Sequence, residues 1–185
     1  MINQPTVFIL GAGASIPYNY PSGKSLVEEI ITGLSRPRSE LYKLCIELEF
    51  QDQEITKFAE ALYFSGDDSI DAFLERERNK EFIDLGKVLI TLCLIQREHT
   101  KTLFSNPPDS WYGDLVNELK SPVIENFKNE VSILTFNYDR SFDHYLYTAI
   151  KNSYGLSEKE CTSIVKRIPI IHLHGQIGKL PWQEK

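Results

Sequence analysis

The sequence contains few cysteines: 185 residues include only Cys45, Cys93 and Cys161. These three lie far apart and form no Cys-x-x-Cys pair, so their spacing indicates neither a zinc ribbon nor a disulfide framework. Such a pattern is typical of proteins in a reducing compartment. The sequence therefore predicts a cytoplasmic location.

Runs of positive charge and long apolar segments are also missing. The formal net charge is −6 and no cluster of Lys and Arg is present, which disfavours nucleic acid as a partner. The most apolar stretch, Leu85 to Ile95, is too short to span a bilayer and contains Lys87. The N-terminus lacks the basic region and apolar run of a signal peptide. These features predict that the protein has no membrane partner.

Strand patterns occur near both ends of the chain, with helical patterns between them. The apolar run Val7–Leu10 is typical of a strand buried on both faces. Val131–Phe136 and Ile168–Gly175 predict the second and third strands. Strands that alternate with helices predict an α/β fold, a Rossmann-like parallel sheet flanked by helices. We expect one domain, residues 1–185, with a helical insertion at about 35–125 between the first two strands.

Two helix boundaries in the first half of the chain can be predicted from capping signals. Ser25 and Glu28 have the spacing of a capping box, but Pro21-Ser22-Gly23 can start the same helix earlier. The segment Ser69–Phe82 is predicted as a capped helix that leads into the apolar one.

Unusual residues follow all three predicted strands. They are Gly11-Ala12-Gly13-Ala14-Ser15, Asn137-Tyr138-Asp139 and His172-Leu173-His174-Gly175. In an open parallel sheet, ligands bind beyond the carboxyl ends of the strands. The sequence therefore predicts that glycines, a carboxamide, a carboxylate and imidazoles meet at one rim of the sheet.

The glycine turn differs from two common nucleotide-binding motifs. A P-loop that ends at Gly23-Lys24-Ser25 requires a glycine where Tyr18 stands, and the dehydrogenase fingerprint requires one where Ile16 stands. The small residues that remain allow backbone N–H groups to approach a pyrophosphate closely. The alternative is a tight turn between strand and helix that binds no ligand.

The polar residues at the other two strand ends also have simpler interpretations. Asn137 and Asp139 are residue types that commonly form turns and helix caps. His172 and His174 would point to the same face of one strand, which suits a pair of metal ligands. The remaining histidines belong to no recognisable metal motif, so we predict that the site holds no metal.

Taken together, the motifs "GAGAS", "TFNYD" and "LHG" in this order resemble the sirtuin-like family. The resemblance is closest to the bacterial sirtuin-like domains of NAD-consuming anti-phage defence proteins, and "SIDAFLE" and "SWY" also look like that branch. It covers nearly the whole chain, from about Val7 to Gly175. It implies an NAD-binding domain in which NAD is the substrate.

Two departures from the family pattern refine this expectation. Deacylating sirtuins carry a zinc module with two Cys-x-x-Cys pairs and an Arg-containing segment after the glycines, whereas this chain has no such pair and reads "PYNYPSG". The resemblance therefore favours NAD hydrolysis over peptide deacylation. Related domains also continue with further strands after the His-Gly element. We therefore expect this chain, which stops at Lys185, to be C-terminally incomplete and to form the N-terminal part of a longer protein.

The resemblance assigns a role to each matching residue. His174 would be the catalytic imidazole, and Asn137 would lie beside the nicotinamide ribose. Asp139 would organise its loop or bind ribose. The residues that would cradle the pyrophosphate are Gly11, Ala12, Gly13, Ala14 and Ser15.

The implied reaction splits NAD into nicotinamide and ADP-ribose. A neutral imidazole can take a proton from water near neutral pH, and a carboxamide can align water and ribose without adding charge. Two alternatives stay open from the sequence: a module that binds NAD or ADP-ribose without turnover, and an assembly role in a homo-oligomer.

Overall fold

The structure is a computed structural model, and it describes residues 1–183. The chain forms two compact units. The first contains residues 1–20 and the described residues from His99 onward, and the second contains Pro21–Glu98. The predicted insertion, at about 35–125, overlaps the second unit but does not have the same bounds. All three strands belong to the first unit.

The sheet has three parallel strands in the order β1-β2-β3. They are β1 (Thr6–Leu10), β2 (Val131–Thr135) and β3 (Ile170–His172). Leu10 pairs with Thr135, and Thr135 pairs with His172, so the three carboxyl ends lie level with one another. The predicted parallel, Rossmann-like α/β fold is confirmed, and helices separate β1 from β2 as expected.

The second unit is helical. Its helices are α1 (Gly23–Leu34), α2 (Glu40–Glu47), α3 (Asp52–Ser65), α4 (Ile70–Arg76) and α5 (Lys80–Ile95). The earlier of the two predicted starts of α1 is correct, because the Ser22 hydroxyl accepts a hydrogen bond from Ser25 N at 3.1 Å. The apolar positions of α3 and α5, such as Ile55, Phe58 and Leu89, are buried and form the core of this unit.

The segment predicted as one helix over Ser69–Phe82 forms parts of two helices. Helix α4 ends at Arg76 because Glu77 adopts an extended conformation. The Asn79 side chain then accepts a hydrogen bond from Glu81 N at 2.9 Å, which caps the start of α5. No helix within residues 1–183 is long and apolar enough to cross a membrane.

The α-helices of the first unit follow residue 99, whereas two short 3-10 helices, Ala12–Ala14 and Ile16–Tyr18, come directly after β1. The α-helices are α6 (Thr100–Leu103), α7 (Tyr112–Leu119), α8 (Ser141–Tyr154) and α9 (Glu158–Val165). Helix α8 starts six residues after β2 ends, which brings its first turn close to the strand ends. Leu146 and Ile150 of α8 are fully buried and belong to the core of this unit.

The prediction that Val7–Leu10 is buried on both faces is wrong. Val7 is 57% exposed and Ile9 is 68% exposed, whereas Leu10 is buried. Successive side chains of a strand point to opposite faces, so β1 buries one face and leaves the other accessible. The same alternation occurs on β3, where Ile171 is 48% exposed. The uniformly apolar sequence of β1 therefore does not distinguish its buried face from its accessible face.

Candidate functional site at the strand ends

The turn after β1 presents two exposed glycines. Its hydrogen bonds run from Ala14 N to Gly11 O at 2.9 Å and from Ser15 N to Ala12 O at 3.1 Å, so the N–H groups of Ala12 and Gly13 take no part in them. A Cβ atom built on Gly11 or Gly13 would find no atom within 4 Å. The chain itself therefore leaves the space above both glycines open.

Asn137 connects the loop after β2 to this turn. Its Nδ2 donates to Gly11 O at 2.9 Å and to Ser15 Oγ at 3.0 Å. Its backbone N–H donates to Thr135 Oγ1 at 3.0 Å, which fixes the first peptide of the loop. The structure therefore brings together two of the sequence-predicted elements, the glycine turn and the carboxamide.

Asp139 is buried, with both carboxylate oxygens hydrogen bonded inside the protein. Oδ2 accepts from Ser15 Oγ at 2.9 Å, while Oδ1 accepts from Ser141 N at 3.0 Å and from the Ser141 hydroxyl. These bonds tie the glycine turn to the start of α8. Of the two roles expected for Asp139, they support the organisation of the loop.

Three aromatic residues support the glycine turn. The Tyr18 hydroxyl accepts hydrogen bonds from the backbone N–H groups of Trp111 at 3.1 Å and Tyr112 at 2.8 Å. The Trp111 indole N–H donates to Ala14 O at 3.0 Å. Burial raises the pKa of the Tyr112 phenol, which therefore stays protonated, and its oxygen lies 2.7 Å from Ser141 Oγ. These aromatic contacts were not predicted from the sequence.

His172 lies beneath the rim and faces two acceptors. Its Nδ1 is 2.8 Å from the backbone oxygen of Asn137, and its Nε2 is 3.2 Å from Asp143 Oδ2. The other oxygen of Asp143 accepts from Arg140 at 2.6 Å, and the guanidinium also donates to Gly178 O at 2.9 Å. We call Arg140, Asp143 and His172 the inner cluster. Their side chains are only 2%, 3% and 5% exposed.

The charges of the inner cluster favour an ionised Asp143. Burial alone would raise the pKa of this carboxyl group, but the hydrogen bonds and positive charges of His172 and Arg140 outweigh burial and lower the pKa below its usual value. The carboxylate is therefore an acceptor for both neighbours at neutral pH. The inner cluster was not predicted from the sequence. The only sequence signal for it is the spacing of Arg140 and Asp143, three residues apart at the start of a helix, which allows an ion pair.

His174 lies in a different environment. Strand β3 ends at His172, and the chain then turns towards Gly175, whose φ is +93°. His174 is exposed, and its ring centroid is 5.4 Å from that of Phe136 and 6.4 Å from that of Tyr138. Within residues 1–183, no hydrogen bond joins His174 to Asn137 or Asp139. The prediction that His172 and His174 share a strand face is wrong, because the strand stops between them.

The centre of the site encloses very little space. The cavity has a volume of about 10 Å³, roughly enough for one water molecule. Its lining consists of Leu10, Ser15, Tyr112, Thr135, Asn137, Asp139, Phe142, Asp143, Ile170 and His172. This cavity is too small for a nucleotide, so the accessible surface at the strand ends is the open side of the glycine turn. The part of the chain that the structure describes contains no group of three or more His, Cys, Asp or Glu side chains that could hold a metal ion.

Comparisons with known proteins leave the family of this chain open. A scan against protein-family models, a search of curated proteins and a search of solved structures return no significant match. The sirtuin-like family therefore stays a prediction that rests on the sequence motifs.

Proposed function

We propose that the protein is an NAD hydrolase that cleaves the nicotinamide–ribose bond and releases nicotinamide and ADP-ribose. The observation that carries this proposal is the open glycine turn. Hydrogen bonds from Asn137, and the bond between Ser15 and Asp139, fix its position. The resemblance of the motifs to sirtuin-like domains supplies the reaction. A role in bacterial anti-phage defence is part of the same proposal.

The backbone of the turn does not itself require a glycine at residue 11. Its φ of −113° and ψ of −175° are extended values that any residue adopts. No neighbouring atom would clash with a Cβ at Gly11 or Gly13 either. Packing within the chain therefore does not explain why residues 11 and 13 are glycines. The absence of a side chain at both positions would, however, let a pyrophosphate approach the N–H groups of the turn.

His174 is the residue proposed for proton transfer. Its exposed imidazole can accept a proton from the attacking water while the water oxygen bonds to the anomeric carbon of the ribose. The bond between this carbon and the nicotinamide nitrogen breaks, and its electron pair leaves with the neutral nicotinamide. The proton then passes from the imidazole to solvent. Asn137 would orient the ribose, since the bonds from its Nδ2 and backbone N–H hold it in place.

Chromatography of NAD incubated with the purified protein tests this function. We expect nicotinamide and ADP-ribose in equal amounts from the wild type, and a rate about 10²–10⁴ lower from His174→Ala, because a general base contributes that much. His99→Ala is the matched control, since it removes another exposed imidazole from the same unit. Equal rates for the three proteins would contradict the role of His174, and no product from any of them would contradict hydrolysis.

A second candidate function is a module that binds NAD or ADP-ribose without turnover. It is favoured by one observation: within the described residues, His174 makes no hydrogen bond to Asn137 or Asp139, so the imidazole is not held towards the glycine turn. Calorimetry separates the two candidates. Heat of NAD binding without release of nicotinamide would support the binding module.

A further inference from the structure

His172, the last residue of β3, and His174, two residues beyond it, differ in how they can take part in proton transfer. The Asn137 backbone oxygen can only accept a hydrogen bond, so His172 Nδ1, 2.8 Å away, must carry the donated proton. This assignment follows from the partner alone. It leaves only Nε2 as a candidate acceptor on this ring.

Nε2 also faces an acceptor. Its partner is Asp143 Oδ2 at 3.2 Å, and Oδ1 of the same carboxylate accepts from the Arg140 guanidinium. An ionised carboxylate offers only acceptors. Donation from both nitrogens at once requires the imidazolium form of His172. The Asp143 carboxylate lies within ion-pair distance of both Arg140 and His172.

The bond from Nδ1 acts on the residue that would hold the ribose. It fixes the carbonyl group of Asn137, while the Asn137 side chain reaches in another direction to Gly11 and Ser15. His172 thus links the end of β3 to the loop after β2, and through Asn137 to the turn after β1. Loss of the bond from Nδ1 would free the backbone of Asn137 on the carbonyl side and leave its position to the remaining bonds of its side chain and N–H group.

We propose that His172 is a positioning residue that, as a buried imidazolium, sets the orientation of the Asn137 carboxamide and leaves proton transfer to His174. For the reaction, the inference rests on the proposed NAD hydrolysis. The state of the ring and the orientation of Asn137 can be measured without any substrate. The two ideas can therefore fail separately.

A matched pair of substitutions isolates the bond to Asn137. The side-chain amide nitrogen of His172→Asn can occupy the position of Nδ1, which keeps the donor to the Asn137 carbonyl and loses the one to Asp143. His172→Gln places its amide near Nε2, which keeps the donor to Asp143 and loses the one to Asn137. Each variant loses one hydrogen bond and the positive charge, so we expect both to have a similarly lowered Tm.

Turnover of NAD should differ between these two variants although their Tm values are similar. We expect kcat/KM to fall about 10-fold to 100-fold in His172→Gln, since small displacements of a positioning group cost that much, and to stay within about 3-fold of the wild type in His172→Asn. Rates are compared at a temperature where both variants are folded. Equal losses in both variants, or no loss in either, would overturn the positioning role.

Nuclear magnetic resonance supplies the readout that does not need activity. In ¹⁵N-labelled wild type at pH 7, we expect both ring nitrogens of His172 to show the shifts of protonated nitrogen, with assignment from the signals lost in His172→Gln. The side-chain NH₂ signals of Asn137, assigned with Asn137→Ala, should move in His172→Gln and persist in His172→Asn. A neutral His172 ring, or Asn137 signals that move equally in both variants, would overturn the inference. If the wild type releases no nicotinamide but these spectra are as expected, only the proposed function fails.

Discussion

The inner cluster and the outer rim of the site, formed by Gly11, Gly13 and His174, differ in how far their residues are bonded within the protein. His172 is buried and has a partner for each nitrogen, whereas His174, two residues later, is exposed beside Phe136 and Tyr138. Asp143 and Asp139 are both buried and bonded, while Gly11 and Gly13 are bare. The difference teaches that the inner cluster holds the strand ends together, while the outer rim leaves its groups accessible.

The largest expected effect comes from breaking the inner cluster at its centre. Asp143→Ala leaves Arg140 and His172 buried without their shared carboxylate, and we expect the free energy of unfolding to fall by about 3–5 kcal/mol. Urea denaturation of the purified variant measures the change. Glu118→Ala, an exposed carboxylate on α7 of the same unit, should stay within about 0.5 kcal/mol of the wild type. Similar stabilities for the two variants would show that the inner cluster is not structural.

The outer rim should respond in the opposite way. Gly11→Ala introduces a methyl group where no protein atom lies within 4 Å, so we expect a Tm equal to or slightly above that of the wild type. If a pyrophosphate lies over this turn, the same methyl group should weaken NAD binding about 10-fold, a loss of roughly 1.4 kcal/mol. Calorimetric titration measures the affinity. Unchanged binding would place the nucleotide away from Gly11.

The smallest expected effect is a difference in acid sensitivity. The pKa of Asp143 is lower in the folded protein than in the unfolded chain, since His172 and Arg140 outweigh the effect of burial. Its contribution to stability is therefore present above the unfolded pKa, about 3.9, and is lost as the pH falls through the folded value. We expect the wild type to lose more stability between pH 5 and pH 3 than Asp143→Asn, which cannot titrate there. Parallel slopes of unfolding free energy against pH would contradict this expectation.

The sequence predicts the framework of the site better than its interior. Strand patterns and level strand ends bring the glycine turn, Asn137 and Asp139 together, because parallel strands place their carboxyl ends at one edge. The position of His174 could not be predicted, since β3 stops at His172 and a turn follows. The partnership of His172 with Asp143 depends on how the first turn of α8 packs beneath β3. Such packing leaves no periodic signal in the chain.

The pairing of β1 with β2 has a consequence for how the chain is made. Ser15 and Asp139, which share a hydrogen bond, are separated by 124 positions along the chain. A ribosome that adds about 5–20 residues per second needs roughly 6–25 s to synthesise this interval. During that time the helices of Pro21–Glu98 emerge with a core of their own, while the first strand has no neighbour to pair with. The order of synthesis thus favours a helical unit that folds early and a rim of strand ends that is assembled late.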